Sequence, residues 1–555
     1  MSVATKKIDT DILIIGGGAA GCYAALTLQD ISTAKVLILE KANIRRSGCL
    51  AAGVNALNAY IAPGSSPGDY AAYAKADAFG IARDDLLLSM SRGLNAAVKR
   101  LEELGLVILK DSDGNYITRG KRNLKINGEN IKPLLANAVS ESDRVSTLNY
   151  VNVIEYIARD DKIVGAFAIG AREKVLYIIR AKAVICAAGG ASGLYKPNRA
   201  GFSRHKMWYS PFNTGAGYAM GIRAGAEMTT LEMRFIALRC KDTIAPTGTI
   251  AQGVGAKQIN ALGETYEDKY GLSTSERLYG TVRENLSGRG PCYLNTVGIT
   301  DERNDDLQRA YLNMAPSQTL KWIETGKPPK EAAVEIEGTE PYIVGGHTAS
   351  GYWVDANRET TIKGLFAAGD AAGGCPQKYV SGAFAEAAIA ARSALKYMDG
   401  ALEDVDPAQT LKRLEDMLND VADSGAAALT DALEEEMQSV MDEHAGGIGA
   451  GYAFSQRSLS VAGKRVADIE LRALRLKAGD ARDLTRVFEL LDRLTLAKSV
   501  IAHLGARKES RWRCFCENTD YPYRDDKWLL FVNSKMESGR LKIIYRDIQG
   551  KETQV

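Results

Sequence analysis

The sequence lacks most of what would mark a membrane, nucleic-acid or metal protein. No apolar run approaches the roughly 18 residues that a bilayer-spanning helix needs. The 70 Lys and Arg against 68 Asp and Glu leave a net charge of +2. That is too weak a field to steer the chain toward nucleic acid or an acidic lipid surface. The start runs through Lys6 and Lys7 straight into Ile12–Ile15, without the zones of a secretory leader, so cytoplasmic residence is expected. Eight cysteines (22, 49, 186, 240, 292, 375, 514, 516) form no C-x-x-C pair. They are too scattered to offer four thiolates to an iron–sulfur cluster or a structural zinc, and most read as small core residues. Four histidines (205, 347, 444, 503) show no ligand spacing, so no metal is expected in this chain. Proline is scarce (14) beside 54 glycines, which follow no G-X-Y period and so serve turns and ligand approach. There is no internal repeat and no low-complexity segment. At 555 residues the chain has room for two to four domains.

What is present begins at Asp11-Ile12-Leu13-Ile14-Ile15, an apolar run of the kind found in a strand buried on both faces. It ends in Gly16-Gly17-Gly18-Ala19-Ala20-Gly21 and opens a helical segment. This is G-x-G-x-x-G in its strand–turn–helix context: Gly16 makes the turn, Gly18 admits a pyrophosphate, and Gly21 lets helix and strand pack closely. A second strand, Lys35–Leu39, ends at Glu40, placed to accept hydrogen bonds from ribose hydroxyls. Together they predict a dinucleotide site. Two further strands end in small residues: Ala183–Cys186 before Ala187-Ala188-Gly189-Gly190, and Leu365–Ala368 before Gly369-Asp370. These resemble the later FAD segments of two-segment flavoproteins and favour one FAD over an NAD site.

Arg45-Arg46-Ser47-Gly48-Cys49-Leu50-Ala51-Ala52-Gly53 resembles the R-S-H-T-x-A-A-x-G-G segment of the fumarate reductase/succinate dehydrogenase flavoprotein superfamily. Gly48 stands where that superfamily links flavin to His, so noncovalent FAD is expected. The following Val54–Tyr60, with Asn58, resembles one branch, the α subunits of adenylylsulfate (APS) reductase. So do Ile126-Asn127-Gly128-Glu129-Asn130-Ile131-Lys132-Pro133, Trp208-Tyr209 with Arg239, Gly288-Arg289-Gly290-Pro291, Glu340–His347 and Ser510-Arg511-Trp512. The resemblance covers nearly the whole chain. It implies FAD contacts from Gly16, Gly18, Ala19, Ala20, Gly21, Glu40, Lys41, Ser47, Gly48, Ala52, Gly53, Ala188, Gly189, Gly369, Asp370 and Ser381. One departure stands out. Where the family has P-H-K-[FY], this chain reads Pro376-Gln377-Lys378-Tyr379, and Gln can hydrogen-bond an oxygen but cannot carry charge.

The chemistry that the resemblance implies is reduction of APS, or of its 3′-phosphorylated form PAPS, to sulfite and the nucleotide through a flavin N5–sulfite adduct. Arg239 is the first candidate oxyanion clamp, since guanidinium pairs bidentately with oxyanions; an ion pair with an acid of its own domain is the alternative. Arg289 is a second cation, or a loop anchor. Asn58 offers a neutral hydrogen bond. Trp208 would pack on the flavin or simply fill the core. Glu129 would fix a substrate-side cation or sit solvated in its loop. Lys378 would supply the charge that Gln377 cannot, and His347 is a polar pocket candidate. Without cluster ligands or an NAD site in the chain, electrons are expected from a ferredoxin-like iron–sulfur β subunit in a hetero-oligomer. The rival is a dicarboxylate enzyme of the fumarate reductase type, weakened because Pro341 opens the segment where that family's clamp begins with His. A flavoprotein that only relays electrons is the third reading.

The expected fold class is α/β: a two-segment Rossmann-like FAD-binding domain (1–204 and 341–400) with an inserted α+β capping domain (205–340). A C-terminal helical domain (401–510) and a tail (511–555) follow. Leu411, Leu414, Met417, Leu418 and Val421 recur at helical steps, and Gly446–Gly451 separates that pattern from two further amphipathic helices, giving three helices in all. Residues from Trp528 to Ile548 alternate like a terminal hairpin.

Overall fold

In the computed structural model, residues 3–126, 128–197, 207–398, 400–418 and 425–554 are described. Asn127, His205, Val421 and the expected boundary at 204–205 lie outside them. The main sheet has seven strands: β1 (Ala4–Ile15), β2 (Val36–Glu40), β3 (Val145–Asn149), β4 (Val151–Arg159), β5 (Lys162–Gly170), β6 (Val175–Cys186) and β7 (Leu365–Ala367). β1 lies at the centre, parallel to β2 on one side and β6 on the other, and β3 extends the sheet beyond β2. The far edge of β6 is divided. Its first half pairs antiparallel with β5, which pairs in turn with β4, and its last three residues pair parallel with β7. β1 starts seven residues earlier than its apolar run, because the polar residues 4–10 form a mostly exposed extension along β6.

Helix α1 (Ala19–Ile31) follows β1 directly, and α2 (Pro67–Asp77) and α3 (Asp84–Glu103) come after β2. The cap then contributes α4 (Thr274–Leu286), and α5 (Tyr379–Tyr397) follows β7. α5 packs between α1 and α3, and its run of Gly and Ala explains how. A Cβ on Gly93 of α3 would lie 2.7 Å from Ala385 Cβ, so the axes approach as closely as small side chains permit. Tyr23 stacks on Phe384 at 4.7 Å in the same contact layer.

Between β6 and β7 the chain builds a separate antiparallel sheet, ordered Leu238–Cys240, Val334–Gly338, Cys292–Asn295, Lys257–Ile259. It has its own core around Ile250, Leu294, Tyr311, Trp322 and Ile336. After residue 400 the described chain holds four helices, not the expected three: α6 (Ala408–Met417), α7 (Gly425–His444), α8 (Gln456–Ala473) and α9 (Ala481–Ala506). The periodic pattern that began at Leu411 stops at Met417, and a new helix starts at Gly425. The terminal hairpin forms, Leu530–Glu537 against Arg540–Asp547. It is no loose tail, because Asn533 and Ser534 pair with Thr229 and Met228.

Candidate active site

Every parallel strand of the main sheet ends at the same edge, where ligands bind in open α/β sheets. A cavity of about 830 Å³ opens there. At one end of it Gly16 turns the chain out of β1 with φ +99, its amide donating to Leu39 O at 2.9 Å. A Cβ on Gly21 would lie 1.9 Å from Gly16 O, so only glycine lets α1 start this close to the strand. Gly18 differs: its Cβ would meet nothing within 4 Å, and as N-cap of α1 it offers no side chain to the first-turn amides. Free amides beside open space fit a pyrophosphate. Glu40 accepts from Gly17 N at 2.8 Å and Ala42 N at 2.7 Å. Each carboxylate oxygen keeps a lone pair for a ribose hydroxyl. Ala19, Ala20, Lys41, Ser47, Gly48, Ala52 and Gly53 line the same region. Lys41 is held by Glu489 at 2.7 Å, and Ser47 Oγ donates to Gly17 O at 3.4 Å.

Further along, the loops after β6 and β7 face each other across Tyr209. Its hydroxyl donates to Asp370 Oδ2 at 2.5 Å and accepts from Gly190 N at 2.9 Å. Burial pushes the Asp370 carboxyl up from its ordinary range. Gly189 sits at φ +77 with Asn213 Nδ2 only 2.4 Å from its would-be Cβ. Ala188, Gly189, Gly369 and Asp370 all line the cavity. The residues present therefore fit FAD: a glycine-lined helix start, a ribose acceptor, and two small-residue loops over the ring end.

The far end is aromatic. Trp208 packs against Phe235 (ring centroids 5.0 Å), Tyr342 (5.6 Å) and His347 (5.2 Å), and His347 continues to Tyr379 at 4.8 Å. Asn58, buried beside them, donates to the Tyr70 hydroxyl. Trp208, His347, Tyr379 and Asn58 are cavity residues. Burial lowers the His347 pKa from 6.5 to about 3, and Nδ1 has no hydrogen-bond partner. The ring is therefore neutral near pH 7. The unfolded chain takes up a proton at this ring below pH 6.5 while the folded chain refuses it down to about 3. Stability accordingly falls as pH drops through that window. H347N should flatten the acid limb of a pH–melting-temperature profile; an unchanged limb would mean that the ring titrates normally in the fold.

Several residues expected here stand outside the cavity lining, and for the cations an acid or a backbone group claims the charge. Arg289 grips Glu284 with two bonds of 2.6 Å inside the cap and holds that carboxyl far below its ordinary range. That pairing fits the loop-anchor alternative and leaves Arg289 outside the cavity lining. Lys378 is fully buried and donates to Gly369 O and Ala372 O, with Glu386 at 3.1 Å. Glu129 is exposed and outside the lining. Ser381 is buried with an unpaired hydroxyl and does not line the cavity either. Gln377 lies beside the cavity at φ +59; its Nε2 donates to Asp77 at 2.5 Å and its buried Oε1 has no partner. Arg239 stands one layer behind the wall. Its Nη2 pairs with Glu337 at 3.0 Å, its backbone bridges to the cavity residue Pro246, and its buried Nε is unpartnered. Nothing in the sequence singles out Tyr73 and Arg122, yet both line the cavity. They belong to no glycine motif and lie far apart in the chain. Among the described residues no cluster of His, Cys, Asp and Glu could hold a metal, and no helix is long and apolar enough to cross a membrane.

The family model described as FAD binding domain matches residues 11–383. The adenylylsulfate reductase α subunit of Megalodesulfovibrio gigas is 28% identical over 96% of this chain and 94% of its own length. The solved adenylylsulfate reductase of Archaeoglobus fulgidus superposes with a TM-score of 0.90 at 31% identity, covering 98% of this chain and 96% of that one. A structure of adenosine-5-phosphosulfate reductase in covalent adduct with sulfite matches with a TM-score of 0.90 at 30% identity, covering 98% and 96%. Cradle, fold and relatives agree: the chain belongs to the FAD binding domain family and is an FAD-dependent oxidoreductase resembling the adenylylsulfate reductase α subunits.

Proposed function

We propose that the chain, with noncovalent FAD, reduces APS or PAPS to sulfite and the nucleotide. The observation that carries this reading is one continuous cavity joining the glycine cradle to a chamber walled by Trp208, His347, Tyr379 and Pro246. Flat apolar walls suit a purine nucleotide better than a small diacid, and the relatives named for this substrate match along the whole chain. Bound FAD, once reduced by the electron partner, would supply the electron pair that reduces the sulfur and be left oxidised. The bond between sulfur and the bridging phosphate oxygen breaks, sulfur leaves as sulfite, and the oxygen stays on the nucleotide phosphate.

The chain's own part is to hold charge and exclude water. Arg239, paired with Glu337 one layer behind the wall, is a positioning residue that fixes the backbone of the wall residue Pro246. Asn58 is oriented by Tyr70, and neutral His347 adds a polar edge without charge. Residues 205–340 act as a cap over the FAD-binding domain (1–204, 341–400), with Ile244, Pro246, Gly248 and Met314 reaching the cavity. Residues 401–510 and 511–555 form the helical and terminal parts. A ferredoxin-like iron–sulfur β subunit delivers electrons in the cytoplasm, a reading supported by the scatter of the cysteines and by a relative named as subunit α.

Titration of the FAD-loaded protein with sulfite should bleach the flavin absorbance, and malonate or fumarate should leave it unchanged. The reverse pattern would establish the dicarboxylate reading, and no response to either would establish a relay protein. Arg239→Ala should retain FAD and lose about 10²-fold in AMP-dependent sulfite oxidation with an artificial acceptor, because the wall at Pro246 shifts and the substrate is misplaced. Near-normal turnover would remove Arg239 from the site.

A further inference from the structure

We propose that Asp77 is a positioning residue that couples closure of the cap to the geometry of the substrate chamber, a role that rests on the function proposed above. Asp77 is the last residue of α2, and its carboxylate joins two distant parts of the chain. Oδ1 accepts from the Thr274 amide and hydroxyl, both at 3.1 Å, and Oδ2 accepts from Gln377 Nε2 at 2.5 Å. Thr274 opens α4 of the cap, so its amide is one of the first-turn donors that a helix cannot satisfy within itself. A carboxylate placed there also meets the positive end of the α4 dipole. Gln377 belongs to the other domain, on the segment that runs from β7 into α5. One side chain thus fastens the cap to that segment.

The segment that Asp77 grips is strained. Gln377 sits at φ +59 and Tyr379 at φ +51, a region that side chains hold only where their surroundings over-determine it. Those surroundings are one face of α2. Tyr70 and Asp77 lie two turns apart on that face and take Gln377 by its backbone and its side chain, the Tyr70 hydroxyl donating to Gln377 O at 2.8 Å. Tyr73, between them, is in side-chain hydrogen-bond contact with Tyr379. From the opposite side, the Lys378 and Tyr379 amides both donate to Gly346 O, at 2.8 and 3.2 Å. Each contact leads to the chamber. Asn58 donates to the Tyr70 hydroxyl, Gly346 precedes His347, and Tyr379 is itself wall. With the cap shut, Thr274 holds Asp77 and Asp77 holds Gln377. With the cap open, the carboxylate loses that anchor and the strained turn relaxes, carrying Tyr379 and the Asn58 support with it. The chamber is therefore complete only under a closed cap, when water is excluded.

The decisive substitution lies in the cap, outside the cavity lining. Thr274→Pro removes both donors to Asp77. Proline is well accepted at the first position of a helix, and Ser273 before it already has the extended backbone that proline requires (φ −63, ψ 162). FAD-loaded wild type, Thr274→Pro, Thr274→Val, Asp77→Ala and the Thr274→Pro/Asp77→Ala double variant are compared by amide hydrogen exchange and by AMP-dependent sulfite oxidation per bound FAD. In Thr274→Pro the Lys378 and Tyr379 amides should exchange about tenfold faster, and turnover should fall about tenfold. Thr274→Val keeps the amide donor and should fall between. Asp77→Ala, which also frees Gln377, should cost at least as much as Thr274→Pro, and adding Thr274→Pro to it should cost nothing further. Unchanged exchange at Lys378 and Tyr379 in Thr274→Pro overturns the coupling, and so do additive losses in the double variant. Faster exchange with normal turnover overturns the positioning role. Loss of FAD or of the native melting transition in Thr274→Val as well as Thr274→Pro would mark the contact as structural and overturn it too. A wild type that neither bleaches with sulfite nor oxidises it overturns the function proposed above, while the exchange measurement, which needs no substrate, still decides the coupling.

Discussion

Gly21→Ala should yield protein without FAD. The added methyl would lie 1.9 Å from Gly16 O and 3.0 Å from Gly16 C. Neither is the end of a flexible side chain that could swing aside. Gly16 cannot retreat, because its own Cβ position already lies 2.5 Å from Ala187 O on the neighbouring loop. The clash must therefore move α1 off the sheet, at a cost of about 3 kcal/mol or more for overpacking against backbone. That displacement also carries the first-turn amides away from the pyrophosphate position. Gly18→Ala is the control. Its methyl meets no protein atom within 4 Å, so the apoprotein should melt as the wild type does. It would, however, occupy the space through which the pyrophosphate approaches α1, and FAD affinity should fall by about 10-fold to 100-fold. The ratio of flavin to protein absorbance after gel filtration, with a melting curve of each apoprotein, separates the two effects. Full FAD in Gly21→Ala, or a destabilised Gly18→Ala apoprotein, would contradict the geometry of the cradle.

The cradle was legible in the sequence because its physics is local. Strand, glycine spacing, helix and terminal Glu40 fall within the first 40 residues, and each residue type answers a requirement of the backbone beside it. Gly369-Asp370 and Ala188-Gly189 repeat that logic. The aromatic chamber was only half legible. Trp208 and His347 stand in family-like motifs, but their contact crosses from residue 208 to 347 and depends on the fold. The fate of each cation was illegible for a different reason. Whether an arginine faces a substrate or an acid depends on which carboxylate the fold places beside it. Arg239 meets Glu337 across the two strands of the cap sheet, a pairing no spacing rule announces. Arg289 meets Glu284 over the end of α4, near enough in sequence to have been suspected. The antiparallel strands β4 and β5 carry no glycine signature, and α6 and α7 run together in the periodic pattern because amphipathicity continues across their junction.

Lys378→Met decides whether this residue serves chemistry or the fold. Lys378 and Glu386 are both 0% exposed, and Glu386 is shared with Arg358, 3.2 Å away and also 0% exposed. Arg358 reaches on to Ser89 Oγ and Leu86 O of α3, and Gly369 N donates to Glu386 Oε2 at 3.2 Å. The ammonium thus closes a network that fastens the 369–372 turn, with Asp370 in it, to α5 and α3. Methionine has a comparable length but no donor. It would leave Gly369 O and Ala372 O without their ammonium donor and Glu386 with one cation fewer. Orphaned buried acceptors cost roughly 1–3 kcal/mol each, and breaking a buried ion pair about 3–5 kcal/mol. A loss near 3 kcal/mol is therefore expected in denaturant unfolding, together with weaker FAD binding as the Asp370 turn loosens. A catalytic cation would give the opposite pattern: stability and FAD content retained, turnover lost. Because Arg358 still neutralises Glu386, the variant should fold, so both patterns are measurable on one preparation. Preserved stability with lost turnover would return Lys378 to the reaction centre.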